Sequence, residues 1–505
     1  MSTGWREIDE RIALRGYVAG GDDAVRRAVG SGSYGDLQGS FLLRVRDSAD
    51  ETWVTDRTGS RRAFVHGGSV SLDERPAGPA ALDLGAIGSV LVNGYPLGGA
   101  TLFAGVRALR PGSVTTVRDG QVTSTPYWSF TPAADLDRAE AAPLLADLLV
   151  QAVERHVTGP ARLSLSAGYD ARGILGILRH RLGRTDVTTF SYVHGTPAPA
   201  SDAALSARLA AEAGYPHQLV ESVDDDVVRV IEDNARLGRG LTNVCDEVRV
   251  WAHELDHDLP VVVGDECFGW NDVPVEGADD VLEAVYLHRS SGLRRLRDLV
   301  GTDRLGEIGT ATDRLVDDAV APHLGKRDPH DSKDSLYFAE RLCRGLMPWR
   351  ESFAGDGRQV LNPFLDGDVL DLVARLGSAD RRGKALYRET VRGLVPEVFD
   401  VPFASTMGYS PDWRTVLVTA SARIRETLAT PSLLDPVIPP EAVDKLLTRC
   451  ATPASRLRDQ TARIGASLRA RRQLAPLGRR IGWEVNDPTL LRRILVLRAA
   501  LRPGR

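Results

Sequence analysis

The segment from Leu163 to Arg172, which reads LSLSAGYDAR, constrains the fold of this chain more than any other. Its leucines alternate with serines, which predicts a strand, and apolar residues at helical spacing follow from Ile174 onward. The small residues Ala167 and Gly168 would then lie in a loop where a helix begins. Unpaired backbone N–H groups and the helix dipole favour an anion at such a position. The sequence therefore predicts a phosphate-binding loop in an α/β fold.

Further strands and helices are predicted to follow in alternation. Residues 186–193 are rich in Val, Thr, Phe and Tyr, which favours a strand, and Ser201 is positioned to cap the next helix. An apolar run over 259–264 leads directly into Asp265 and Glu266. This alternation predicts a doubly wound parallel sheet, followed by mainly helical sequence. Carboxylates at the carboxyl end of a buried strand lie where such sheets bind ligands, and Mg²⁺ prefers oxygen ligands.

Four motifs in this order resemble segments of the asparagine synthetase superfamily. The loop that starts at Ser166 resembles the pyrophosphate loop SGGxDS, and residues 264–270 (GDECFGW) resemble GADELFGG. Residues 359–366 resemble the block ExRxPFLD, and residues 384–397 resemble KxLLR followed by LLPE. The resemblance extends over about residues 35–415. It implies a C-terminal ATP-pyrophosphatase domain, in which ATP converts a carboxylate to an acyl-adenylate that ammonia or an amine then attacks.

The resemblance also implies which residues bind the nucleotide and its metal ion. Asp170, Asp265 and Glu266 are expected to bind Mg²⁺. The residues expected to bind ATP are Ser164, Leu165, Ser166, Ala167, Gly168, Tyr169, Asp170, Ser191 and Gly264.

The catalytic positions depart from the family pattern. Gln359 stands where the family usually has a glutamate, and an amide cannot accept a proton as a carboxylate does. Thr406 stands where the family usually has a lysine that stabilises the charge of the adenylate and pyrophosphate. We expect Arg172 or Arg388 to supply that positive charge, and Gln359 to occupy the position of the glutamate.

The first 130 residues resemble a truncated glutamine amidotransferase domain of the same superfamily. The resemblance lies in residues 34–41, 53–59 and 101–112. Such a glutaminase needs a cysteine as its first residue, whereas this chain begins Met-Ser-Thr and its first cysteine is Cys245. We therefore expect no glutamine hydrolysis. The predicted domains are a degenerate β-rich domain over 1–130, an ATP-binding synthetase domain over 141–415 and a basic helical extension over 416–505.

Composition and charge narrow the function classes. The chain has 505 residues, a net charge of −5 and a 43% hydrophobic content, which fits two or three globular domains and gives no argument for nucleic acid. Four scattered cysteines predict neither a disulfide framework nor a metal site. No apolar run is long enough for a membrane span, so we expect a cytoplasmic protein with small-molecule carboxylate and amine substrates. A homodimer is compatible with this prediction.

Three alternatives stay open at this point. The first is a pseudoenzyme that keeps the nucleotide-binding fold for regulation or as a scaffold, because Gln359 and Thr406 replace catalytic residues. The second is a zinc peptidase, since HELDH at 253–257 has the HExxH spacing, although no third ligand is evident. The third is that the arginine-rich sequence after residue 455 forms a docking surface, and not simply a helical pair with a solvated basic face. These arginines include Arg469, Arg471, Arg472, Arg479, Arg480, Arg492 and Arg493.

Overall fold

The computed structural model describes residues 4–47, 50–76, 78, 81–255, 258–270, 277–355, 357–469 and 483–503. The protein is a mixed α/β structure, with antiparallel sheets in its first part and a parallel sheet in its second part. The predicted α/β class is therefore confirmed.

Two antiparallel sheets form the first part of the chain. Their strands are β1 (Arg6–Glu7), β2 (Ile12–Val18), β3 (Gly39–Asp47), β4 (Asp50–Thr55), β5 (Phe64–His66), β6 (Ser69–Ser71), β7 (Arg107–Ala108), β8 (Ser113–Arg118) and β9 (Gln121–Pro126). The larger sheet has the order β1-β2-β3-β4-β8-β9, and the smaller one has the order β6-β5-β7. Both faces of β3 are covered, since Phe41 packs with Val25 on one side and Leu42 packs with Trp53 on the other.

The second part contains a five-stranded parallel sheet. Its strands are β10 (Ala161–Ser164), β11 (Val187–Val193), β12 (His217–Glu221), β13 (Val261–Val262) and β14 (Val360–Leu361). The order is β12-β11-β10-β13-β14, with every neighbouring pair parallel. From β10 the chain adds strands first on one side and later on the other, so the direction of winding reverses at the carboxyl ends of β10 and β13. Open α/β sheets bind ligands at such a switch point.

Helices connect the strands and cover the sheets. Arg138–His156 packs beneath the parallel sheet, because Leu145, Leu149 and Ala152 lie on one face and join Leu163 of β10 in a common core. The α-helices are Gly21–Ser31, Leu84–Asn93, Arg138–His156, Tyr169–Gly176, Asp202–Ala213, Val227–Gly238, Ala278–Ala284, Arg297–Val300, Thr302–Val320, Pro329–Leu336, Met347–Ala354, Gly367–Arg375, Ser378–Arg381, Ala385–Leu394, Trp413–Thr419, Ser421–Leu428, Pro440–Cys450, Pro453–Arg469 and Asp487–Ala500. The π-helical segments are Ile177–Arg181, Val250–Glu254 and Tyr337–Leu346.

The helix Asp487–Ala500 lies inside the molecule, against the helices Leu84–Asn93 and Val227–Gly238. Arg493 donates to the carbonyl oxygen of Leu91 at 2.9 Å, and burial lowers the pKa of Arg493 to about 9. The guanidinium carbon of Arg492 lies 4.2 Å from the ring centre of Trp413. Arg493 therefore packs inward, whereas Arg492 stacks on Trp413 and lines a cavity that opens to solvent. The side chain of Arg469, together with Arg471, Arg472, Arg479 and Arg480, falls outside the described residues.

The HExxH pattern is described only in part. His253 lies in the π-helical segment Val250–Glu254 and its Nε2 is 2.6 Å from Asp233 Oδ2, so this imidazole is engaged by a carboxylate. The second histidine of the pattern, His257, lies outside the described residues. In the part of the chain that the structure covers, no helix has the length and apolarity needed to cross a bilayer. All four cysteines are buried free thiols.

Candidate functional site

The predicted strand, loop and helix are present at the carboxyl end of β10. The strand ends at Ser164 and the helix begins at Tyr169, so residues 165–168 form the loop. The loop is fixed to β11, because the Leu165 N–H donates to Phe190 O at 2.8 Å and Ser191 Oγ donates to Leu165 O at 2.6 Å. The Ser191 hydroxyl thus fixes the loop by donating to the carbonyl oxygen of Leu165.

Gly264 allows the end of β13 to approach this helix closely. A Cβ atom at Gly264 would lie 3.1 Å from the backbone nitrogen of Ala171 and 3.2 Å from Asp170 Cβ. A larger residue would push the two segments apart. The glycine therefore holds the segment after β13 against the first turn of the helix Tyr169–Gly176.

Three charged side chains meet at this point. Lys384 Nζ lies 2.8 and 3.0 Å from the two carboxylate oxygens of Asp170, and 3.0 Å from Glu266 Oε1. All three side chains are largely enclosed, and Glu266 is only 4% exposed. The site thus holds one ammonium group between two carboxylates at the switch point of the sheet.

The backbone at Lys384 is strained. Lys384 directly precedes the helix Ala385–Leu394 and has φ 61° and ψ 37°, a left-handed conformation that is uncommon for residues other than glycine. Such conformations concentrate at functional sites. In this conformation the Lys384 side chain lies between Asp170 and Glu266. The strained backbone therefore indicates that the position of Lys384 is functionally important.

Burial and mutual attraction set the charges of this group. Burial raises the pKa of Asp170 to about 6, although the nearby Lys384 acts in the opposite direction. Burial alone would lower the pKa of Lys384, but Glu266 and Asp170 together raise it to about 12. At neutral pH the lysine is therefore cationic and the site carries a buried ion pair.

The adjacent carboxylates of Asp265 and Glu266 contact different cations. Asp265 pairs with Arg350, and Glu266 pairs with Lys384. Asp265 Oδ2 lies 3.1 Å from Arg350 Nε, and Arg350 also approaches Glu247 at 3.4 Å. Only Glu266 faces Asp170. The expected triad of Mg²⁺ ligands does not converge on one point, because Arg350 draws Asp265 away. Among the described residues, no group of three or more His, Cys, Asp or Glu side chains has the arrangement of a metal site.

Arg172 does not face the site. Its side chain is fully buried and donates to the carbonyl oxygens of Val398, Val401, Ala167 and Pro402 at 2.5 to 3.1 Å. These bonds tie the loop to residues 398–402. The expectation that Arg172 contacts phosphate is therefore not supported, because both of its Nη atoms donate to backbone carbonyl oxygens.

Arg388 lies at the outer edge of the site. It is exposed, and its guanidinium carbon is 4.9 Å from the ring centre of Tyr169. The Tyr169 ring stacks on Phe403 at 4.5 Å, and its hydroxyl accepts from Arg392 at 2.5 Å. Arg388 is therefore near the loop without reaching the enclosed carboxylates.

Gln359 lies at the opposite edge of the parallel sheet. It directly precedes β14, its side chain is exposed, and its carbonyl oxygen accepts the Val261 N–H at 2.9 Å. Because parallel strands run in the same direction, a residue before β14 lies at the amino edge, whereas Asp170 and Glu266 follow the carboxyl ends. The structure thus separates Gln359 from the site, which is contrary to its expected catalytic position.

Asp202 contacts the loop, a position that no motif in the sequence predicts. Its Oδ1 accepts the Ala167 N–H at 2.9 Å, and burial raises its pKa. The Asp202 N–H in turn donates to the carbonyl oxygen of Thr406, whose side chain is exposed. One of the N–H groups expected to bind phosphate is therefore already bonded to a carboxylate.

Lys384 is the main residue that the sequence prediction missed. In the sequence it is only the first residue of a matching block, and nothing local predicts its contact with Asp170. Gly383 is the one local signal, since glycine favours the left-handed backbone (φ 57°, ψ 21°) that interrupts the helices before Ala385. Tyr387, one turn after Lys384, also lies beside the site, where its ring stacks on Phe268 with the ring centres 4.0 Å apart.

Comparison with known proteins gives no assignment. No protein-family model matches this chain, and no curated protein matches it. The function is therefore inferred from the geometry of the site and from the motifs of the sequence.

Proposed function

We propose that this chain is an ATP-dependent amide ligase of the asparagine synthetase type, which activates a carboxylate as an acyl-adenylate for attack by an amine or ammonia. The observation that carries the proposal is the position of Lys384 between Asp170 and Glu266, beside a small-residue loop at the start of a helix. The proposal includes the two-part arrangement of a degenerate amidotransferase-like β-rich part and an ATP-pyrophosphatase part.

The place of this group in the fold supports nucleotide chemistry. Asp170 follows β10 and Glu266 follows β13, and these strands are neighbours at the switch point. Ligands of open α/β sheets bind at this position, and a helix start attracts the phosphate groups of a nucleotide. The motifs and the geometry therefore indicate the same location.

Lys384 supplies the positive charge that the sequence lacks at Thr406. An ammonium group held in an enclosed site stabilises charge that develops on phosphate oxygens more strongly than one in water. Arg172 and Arg388 are less suited to this role, since the Arg172 side chain reaches residues 398–402 and Arg388 is exposed at the outer edge. We therefore assign the missing cation to Lys384.

The two carboxylates also fit Mg²⁺. In this structure Lys384 Nζ fills the position between Asp170 and Glu266, so Mg²⁺ would take that position only when the ammonium group turns towards the phosphate oxygens. Mg²⁺ is commonly held by one or two carboxylates together with substrate phosphates, so Asp170 and Glu266 would hold it. When bound, it would neutralise the charge of the phosphate groups. Asp265, paired with Arg350, would hold the segment after β13 in place beside Glu266.

A second candidate function is a nucleotide-binding pseudoenzyme. The specific observations in its favour are the carboxylate of Asp202 on the Ala167 N–H and the distance of Gln359 from the site. The first removes a donor for phosphate and the second removes a group from the catalytic position, whereas neither disturbs the fold. Such a protein would bind ATP without forming an adenylate.

Two measurements test the proposal. Calorimetry with ATP and MgCl₂ should register binding, and ATP–pyrophosphate exchange with a panel of small carboxylic acids should identify the activated substrate. Lys384→Met should reduce exchange by about 100-fold, because a charge opposite the phosphates is lost. Lys445→Met is the matched control, since Lys445 is exposed on the helix Pro440–Cys450 and exchange should not change. Binding without exchange would favour the pseudoenzyme, whereas no binding would reject both.

A further inference from the structure

A cavity of about 200 Å³ lies away from the proposed nucleotide site. It opens to solvent and is lined by residues of the antiparallel part and by the ends of the helices Val227–Gly238 and Met347–Ala354. The volume is far larger than the roughly 10–15 Å³ that one water molecule needs. Its charged lining is strongly basic and consists of Arg15, Arg61, Arg62, Arg236, Arg239 and Glu351.

Arg62 is the unusual member of this lining. Its Nε and Nη2 atoms are enclosed and have no hydrogen-bond partner among the described residues. Burial lowers the pKa of Arg62 to about 9, and Arg239 and Arg344 act in the same direction while Glu74 opposes them. Two buried nitrogens without a hydrogen bond are unfavourable, and the forked donors of a guanidinium match the geometry of an oxyanion.

The nearby acidic groups are engaged by other arginines. Arg61 Nη2 lies 2.8 Å from Glu351 Oε2, and Glu74 forms an ion pair with Arg239. Arg236 donates to Asp233 at 3.0 Å, so that carboxylate is engaged as well. Each of these carboxylates is thus paired with another arginine, and Arg62 attracts Glu74 without forming an ion pair of its own among the described residues.

We infer that this cavity binds a small oxyanion with at least two negative charges, with Arg62 as its main anchor. Phosphate, pyrophosphate and short dicarboxylates share this chemistry. Because the lining comes from both parts of the chain, the bound anion would hold the antiparallel part against the helices around the parallel sheet. This inference does not depend on the proposed ligase activity.

The test measures binding of inorganic phosphate to the full chain by calorimetry, at constant ionic strength maintained with NaCl. We expect Arg62→Met to weaken binding by about tenfold or more, since two charged donors are lost. Arg118→Met is the control, because Arg118 is exposed and pairs with Asp50 on the antiparallel sheet. Equal affinity of the wild type and Arg62→Met would overturn the inference.

Two further comparisons remove ambiguity. Binding that persists in Lys384→Met but is lost in Arg62→Met belongs to the cavity, and the reverse pattern would place the anion in the nucleotide loop and overturn the inference. Pyrophosphate and succinate, titrated in the same way, separate phosphate-type from dicarboxylate ligands; binding of none of the three overturns it. If Arg62→Met does not fold, wild-type crystals soaked in selenate decide the question. An anomalous peak in the cavity supports the inference, and its absence rejects it.

Discussion

Lys384 and Asp170 form an ion pair between residues 214 positions apart, with Nζ 2.8 Å from Oδ2. Asp170 lies in the first turn of the helix Tyr169–Gly176, and Lys384 immediately precedes the helix Ala385–Leu394. The pair therefore fastens the starts of two helices to each other, and Glu266 adds the strand β13 to the same contact.

Replacing the lysine should cost stability as well as activity. Lys384→Met leaves Asp170 and Glu266 enclosed without their cation, and breaking a buried ion pair in this way costs about 3 kcal/mol. Urea unfolding at pH 7 measures the loss. Lys445→Met should change the free energy of unfolding by less than about 0.5 kcal/mol. Equal unfolding curves for the two variants would show that the ion pair contributes no net stability.

Asp202→Asn should strengthen ATP binding. The amide keeps an oxygen that can accept the Ala167 N–H but removes a negative charge beside the proposed phosphate position. We expect the dissociation constant for ATP with MgCl₂ to fall by about tenfold, which corresponds to about 1.4 kcal/mol. Asp225→Asn serves as the control, because Asp225 is exposed and its replacement changes the net charge by the same amount. Unchanged or weaker binding in Asp202→Asn would contradict phosphate binding at this loop.

Arg172 and Arg388 should respond differently to the same substitution. Arg172→Met leaves four backbone carbonyl oxygens without their donor, so the free energy of unfolding should fall by about 3 kcal/mol or more. Arg388→Met removes an exposed cation over Tyr169 and should cost less than about 1 kcal/mol. Chemical denaturation followed by tryptophan fluorescence distinguishes the two. Similar losses would contradict the placement of the Arg172 side chain.

The carboxyl of Glu340 should make stability depend on pH. Burial raises its pKa from 4.5 to about 7, so the folded state binds a proton more readily than the unfolded state. The free energy of unfolding should therefore fall as pH rises from about 4.5 to 7, by roughly 3 kcal/mol from this group. Glu340→Gln should remove this slope while keeping an acceptor for the Gly98 N–H, which bonds Glu340 at 2.8 Å.

The matched control for that measurement is Glu307→Gln, since Glu307 is exposed beside Arg304. Its pH profile should follow that of the wild type. A profile of Glu340→Gln that coincides with the wild type would mean that Glu340 does not titrate in this range.

The parts of the fold that could be predicted are those encoded by short segments. The strand β10, its loop and the helix from Tyr169 follow from alternation and small residues within about fifteen positions. The sheet order and the switch point also agree with the alternation of strands and helices. Local patterning therefore sufficed for the class and for the position of the loop.

The composition of the site could not be predicted in the same way. Lys384, Asp265 and Asp202 acquire their partners from segments that are distant in sequence, and each choice depends on which neighbour is closest in the folded chain. Gln359 matched a motif position but lies before β14, where the direction of the strand takes it to the other edge. A motif fixes residue types, whereas the partners of charged side chains depend on packing.

The placement of the helix Asp487–Ala500 bears on the order in which the molecule can assemble. Leu91 shares its core with Leu491 and Ile494, which are synthesised about 400 residues later. The hydrophobic core around Leu91 therefore stays incomplete until the helix Asp487–Ala500 has been synthesised. Nascent chains stalled before residue 487 should stay exposed to proteases and chaperones around Leu84–Asn93, even though the strands β1 to β14 have all been translated by then.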